Sequence, residues 1–230
     1  RAALASGRAE EGATALRAAL FGAPADGSGP PVLTVALARL LLRAGQPDDA
    51  AAVLESGPAA LAADREALLL AAEVQVERGD RDSAEALVLT ALQADPRDAE
   101  AAAWLAELSV RRGRAEEAAD RAAGILAERP GTERALLVRA VALAELGRTA
   151  AAREAFQALV SESSGPAFHW ANFAAFEAAS GRAPEAVRLY REAVDRDPSN
   201  LTAYRGLLEA ATRAGDDEQV RRAREVLGGR

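Results

Sequence analysis

Cysteine, methionine and lysine are absent from this 230-residue chain, histidine occurs once, at His169, and aromatic residues make up only 4%. Each gap removes a class of chemistry. Without cysteine there is no thiol nucleophile or thiolate metal ligand, and without lysine there is neither a Schiff-base amine nor a phosphate-loop lysine. One histidine cannot build the usual zinc site, and its neighbours Phe168 and Trp170 are no metal ligands. The expectation is a chain that is not an enzyme, with no cofactor and no metal. No apolar run approaches the roughly 20 residues that a membrane span needs. The formal charge of -7 argues against nucleic-acid binding, because a phosphate-backbone surface needs clustered positive charge.

What is present is alanine, in every segment, within a composition that is 50% apolar. Alanine has the highest helix propensity and is small enough for helices to approach closely, so an all-helical protein with thin layers is expected. Isoleucine, a strand former, occurs only at Ile125. All 28 basic residues are arginine, which reads as the codon bias of a GC-rich, bacterial genome, with the cytoplasm or periplasm as its compartment. The missing initiator methionine suggests a fragment or a processed chain. Acidity concentrates between Arg65 and Asp98, where eight carboxylates face four arginines, as on a solvated outer helix face.

A single residue type exposes the organisation. Gly45, Gly79, Gly113, Gly147, Gly181 and Gly215 follow one another at intervals of 34 residues. Each lies between two apolar helical patterns, where a left-handed glycine ends one helix and lets the chain turn into the next. Five residues after a glycine stand Ala50, Ala84, Ala118, Ala152 and Ala186, small side chains that let the second helix pack closely on the first. Seventeen residues after it come Pro96, Pro130 and Pro198, which end the second helix by removing an N–H donor and pushing the preceding residue out of the helical region. Gly7 and Pro24 stand in the same relation and belong to a truncated preceding repeat.

This frame resembles the tetratricopeptide repeat, a 34-residue helix-turn-helix with small residues at its crossing points, an aromatic position and a terminal proline. The resemblance implies an all-α fold, a right-handed α-solenoid of stacked antiparallel helix pairs. Repeats would run 31–64, 65–98, 99–132, 133–166, 167–200 and 201–230, the last incomplete, with residues 1–30 forming a partial repeat and a loop. There are departures. The large residue early in the first helix is Trp170 or Tyr204 in the last two repeats but Thr34, Leu68, Ala102 and Leu136 before them. The second-helix aromatic survives only as Phe156 and Tyr190, and Gly57-Pro58 should cut the first full repeat's second helix short. The Gly-, Ser- and Pro-rich stretch over residues 22–31 is the expected flexible junction.

Pairs of this size cannot bury their apolar faces alone, so they stack, and the first helices of successive pairs line an extended concave groove. Such a groove suits a peptide or helix of a partner protein. Helical spacing puts Glu73, Trp104, Glu107, Leu137, Val138, Phe168, Asn172 and Arg205 on that face. Trp104, Leu137, Val138 and Phe168 form a candidate anchor patch, with packing between helices as the alternative for the two aromatics. Trp170, Phe173 and Phe176 belong to the packing side of their helix. His169 reads as a satisfied structural residue, and Glu116-Glu117 and Asp216-Asp217 read as partners of helix dipoles. Some relatives grip a partner's terminal carboxylate with polar groove residues of three successive repeats. Here only Asn172 matches, so an apolar segment is the better ligand. The expected function is a protein-binding scaffold. The alternatives are a self-association module, or the recognition arm of a larger enzyme or transcription regulator.

Overall fold

The computed structural model describes residues 31–57, 59–162 and 165–228. Within them twelve α-helices follow one another in pairs, with no strand. The pairs are α1 Pro31–Arg43 with α2 Pro47–Glu55, α3 Arg65–Glu77 with α4 Arg81–Ala94, and α5 Ala99–Arg111 with α6 Ala115–Glu128. They continue as α7 Glu133–Glu145 with α8 Thr149–Glu162, α9 Ala167–Ala179 with α10 Ala183–Arg196, and α11 Leu201–Ala214 with α12 Asp217–Gly228. A 3-10 turn, Ala59–Ala63, follows α2. The expected partial repeat over residues 1–30, with Gly7, Pro24 and the 22–31 junction, lies outside the described residues except for Pro31, which opens α1.

One device closes every pair. All six turn glycines take positive φ, between 69° and 84°, and no other described residue does. The residue after each glycine donates its N–H to the carbonyl five residues earlier at 2.9 Å, as in Gln46 to Leu41 and Arg182 to Glu177. That bond satisfies a carbonyl the helix end would otherwise leave orphaned, and only a left-handed glycine brings the donor round to it. At the other end of the pair, Asp95, Arg129 and Asp197 precede proline with φ between -137° and -133°, which stops α4, α6 and α10. The next first helix starts on a side-chain cap where one is present: Asp64 accepts from Ala67 N, Asp98 from Glu100 N and Ala101 N, and Asn200 from Ala203 N.

Packing divides the chain into two compact units, with the boundary between Leu108 and Ser109. In the first, α2 packs on α1 and α3, and α4 packs on α3. Its core joins Leu37, Leu41, Leu70 and Val74, and a second cluster joins Leu68, Leu69, Val88, Leu105 and Leu108. In the second, consecutive helices from α6 to α12 pack on one another and α9 touches α11. The Phe156 ring stacks on Phe173 with centroids 5.5 Å apart and leans on Phe176 at 5.2 Å. The five crossing alanines, Ala50 to Ala186, are all fully buried. Gly206 serves a different close approach: a Cβ there would lie 2.2 Å from Cζ of Tyr190, so the buried tyrosine packs against bare backbone of α11.

Gly57-Pro58 has the expected effect. α2 stops after nine residues, whereas α4, α6, α8 and α10 each run for 14. A Cβ at Gly57 would stand 2.6 Å from Leu61 Cδ1, so the glycine lets the 3-10 turn fold back.

Candidate functional site

The eight groove residues read from the sequence divide between the units: Glu73, Trp104 and Glu107 in the first, Leu137, Val138, Phe168, Asn172 and Arg205 in the second. Two are corrected as exposed anchors. Trp104 is only 5% exposed and belongs to a core cluster with Ala72, Ala84, Ala91 and Ala101. Those small side chains leave a volume that an indole fills, so packing wins over exposure. Val138 is also buried, because α7 is covered by both α6 and α8 and keeps a narrow open stripe. Glu73 and Arg205 are exposed, and Glu107 is half-buried.

In the second unit the structure brings Asn172 to a cleft with Val141 of α7, while Leu137, Phe168 and Arg205 lie on three different helices, α7, α9 and α11. Glu133, Leu137 and Val141 follow one another at four-residue spacing on α7, and Phe168 and Asn172 do so on α9, so each set shares a helix face. α7 and α9 approach each other at two places, neither of which includes Phe168 or Leu137. His169 Nδ1 lies 3.2 Å from Glu133 Oε1, and Val141 and Asn172 line one cleft of about 540 Å³ together with Phe156 and Phe176. Leu137 is half-buried and Asn172 exposed. Phe168 is 47% exposed, one of three large apolar residues so open among those described, with Val32 and Leu89.

Beneath this face lies charge that the sequence did not reveal. Glu177, fully buried near the end of α9, receives Arg153 Nε at 2.6 Å and Arg182 Nε at 3.3 Å. Arg153 also stands 5.8 Å over the Phe176 ring. A buried carboxylate is tolerated only with such partners. Spacing gave no signal for it, since Arg153 comes from the preceding helix pair. Of the expected packing aromatics, Phe173 is buried and Phe176 half-buried. Trp170 is half-buried under the Arg196 guanidinium, 4.4 Å from its ring.

His169 is structural, though not satisfied. It is 1% exposed, and Nδ1 makes no hydrogen bond although the Glu133 oxygen lies 3.2 Å away. Burial pushes its pKa below the usual 6.5, against a weaker upward pull from Glu133. The paired carboxylates are accounted for at helix starts: Glu116 binds Arg148 at 2.8 Å, Glu117 binds Arg121 at 2.8 Å, and Asp216 caps Gln219 N at 3.1 Å. Among the described residues no group of three or more His, Cys, Asp or Glu could hold a metal ion, and no helix is long and apolar enough to cross a membrane.

Sequence profiles described as tetratricopeptide repeat match residues 31–56, 75–140, 134–164 and 177–219. The chain belongs to the tetratricopeptide repeat family. Solved structures agree on its fold. A tetratricopeptide repeat protein from Parabacteroides merdae is 18% identical, with a TM-score of 0.68 over 96% of this chain and 87% of that one. TTC0263, a tetratricopeptide protein of Thermus thermophilus, is 21% identical, with a TM-score of 0.71 over 78% of this chain and 97% of its own. PilF of Pseudomonas aeruginosa is 17% identical, with a TM-score of 0.61 over 84% and 90%. No curated protein matches the chain. Tetratricopeptide repeats bind protein or peptide partners, and a protein-interaction scaffold is the general function this family membership supports.

Proposed function

We propose that this tetratricopeptide chain is a non-catalytic scaffold that holds an apolar segment of a partner protein along the first-helix face of its second unit. Phe168 is the anchor, with Asn172 one turn along the same side of α9 and with Leu137 and Val141 presented by α7. The exposure of Phe168 carries the reading. An aromatic ring left nearly half open loses hydrophobic stabilisation in the free protein and recovers it when a partner covers it. Asn172 supplies a donor and an acceptor at the mouth of the adjoining cleft, suited to the backbone of a bound segment. The carboxylates of Glu116, Glu117 and Asp216 are engaged in ion pairs and a helix cap.

Phe168→Ala tests the face without opening the core. Partner capture by the variant is expected to fall at least tenfold, about 1.4 kcal/mol, with helicity by circular dichroism unchanged. Undiminished capture rejects Phe168 as the anchor. Light scattering over a range of concentrations separates a foreign partner from a second copy, since a constant single-chain mass excludes the latter.

A further inference from the structure

The early stop of α2 has left a second apolar opening, in the first unit. Between α2, the 3-10 turn, α3 and α4 lies a cleft of about 540 Å³, walled by Leu54, Leu61, Leu68, Val74 and Leu87. Its few polar neighbours are already engaged: the Ser83 hydroxyl donates to Asp80 at 2.7 Å, and the Gln75 carboxamide accepts from Arg78 at 3.2 Å. Leu89 lies three residues beyond Ala86, a lining residue, and so continues the apolar surface along the same side of α4, 42% exposed. The unit that holds the opening is negative in balance, and Arg78, which bonds the lining residue Gln75, is itself paired with Asp48. Glu55 stands among the lining residues, and residues 31–108 carry 14 Asp and Glu against six Arg. Three of those arginines are committed within the unit, to Glu66, Asp98 and Asp48.

We propose that this cleft docks a cationic amphipathic helix of a partner protein. Leucine-type side chains of that helix fill the opening between α2 and α4, and its lysines or arginines meet Glu55 and the acidic surface around it. An apolar interior within a negatively charged unit complements that pattern, whereas an acidic segment is repelled and a polar one gains nothing from the interior. None of the residues of the Phe168 face takes part, so the two proposals fail independently.

The test uses the whole chain and a dye-labelled 14-residue helical peptide of leucine and lysine, with its leucine–glutamate counterpart as control, read by fluorescence anisotropy. One-to-one saturable binding of the lysine peptide is expected. Ala86→Trp, at an exposed lining position, should weaken it at least tenfold and Glu55→Arg several-fold, with helicity retained and Phe168→Ala without effect. Binding that survives Ala86→Trp overturns the proposal, because the peptide is then held by diffuse negative charge alone. Equal binding of the glutamate peptide overturns the charge argument. A chain that dimerises through this cleft, with a doubled mass that Ala86→Trp returns to one chain, overturns it in favour of a second copy.

Discussion

The His169 imidazole is buried on α9 beside the exposed Phe168, with one ring nitrogen unpaired, so its charged form is disfavoured in the folded chain. Its folded pKa lies below the unfolded value, so the unfolded chain takes up the proton first. The stability this group contributes is complete above about pH 6.5 and is lost as pH falls through that value toward the folded pKa. The slope is at most about 1.4 kcal/mol per pH unit. Asp80, Asp98 and Glu185 do not blur this window, since hydrogen bonds hold their pKa values below the usual carboxylate range. Urea unfolding at pH 7.5, 6.5 and 5.5 should show declining stability in the wild type and a flatter profile in His169→Gln. Parallel profiles would show that the imidazole is not the group responsible. From sequence, His169 was legible as structural, because an isolated histidine among aromatics has no ligand set. Its missing hydrogen bond was not, since that depends on how α7 and α9 are angled.

Helices and turns were legible wherever one backbone conformation admits few residue types. Positive φ at six positions demands glycine, a halted helix suits proline, and a close crossing demands alanine, so these three residues fixed the frame before any packing was considered. The side of a first helix that stays open is another matter. Trp104 and Phe168 were both read onto the groove face, yet Trp104 is drawn inward by the alanines around it while Phe168 remains outside. That choice rests on the volume left by neighbouring helices, which period alone does not encode. The crossing alanines provide the matching test. Ala186 is fully buried in α10, which packs on α9, so Ala186→Leu forces extra methyl groups into a filled space. A loss of about 1–3 kcal/mol is expected, read as a lower denaturation midpoint at unchanged slope. An unaltered midpoint would mean that the crossing has room to spare.

Across the whole molecule, stability in repeat arrays is a sum of local terms, so the weakest helix pair opens first. α1 and α2 are that pair: α2 has nine residues, no side-chain cap at its start, and a cleft along one flank. Amide hydrogen exchange should be fastest there and slowest across α9, α10 and α11, where Phe173, Leu189, Tyr190 and Leu207 are buried. Uniform protection along the chain would refute this ordering. The division between Leu108 and Ser109 was not legible, because the same turn signal recurs in every repeat and nothing in the sequence sets one junction apart. The shortened α2 was, through Gly57-Pro58, although the opening it leaves was not.

The ion pairs that join one helix pair to the next, Arg39–Glu66, Asp48–Arg78, Arg65–Asp98, Glu116–Arg148 and Asp195–Arg222, have a consequence for the protein's chemical history. Each takes its positive charge from a guanidinium, which stays protonated throughout the physiological range. Lysine acetylation and ubiquitin attachment act on side-chain amines, and this sequence carries none. The electrostatic stitching of this array therefore lies beyond the reach of the acyl marks by which a cell or a chemist would loosen a lysine-bound one.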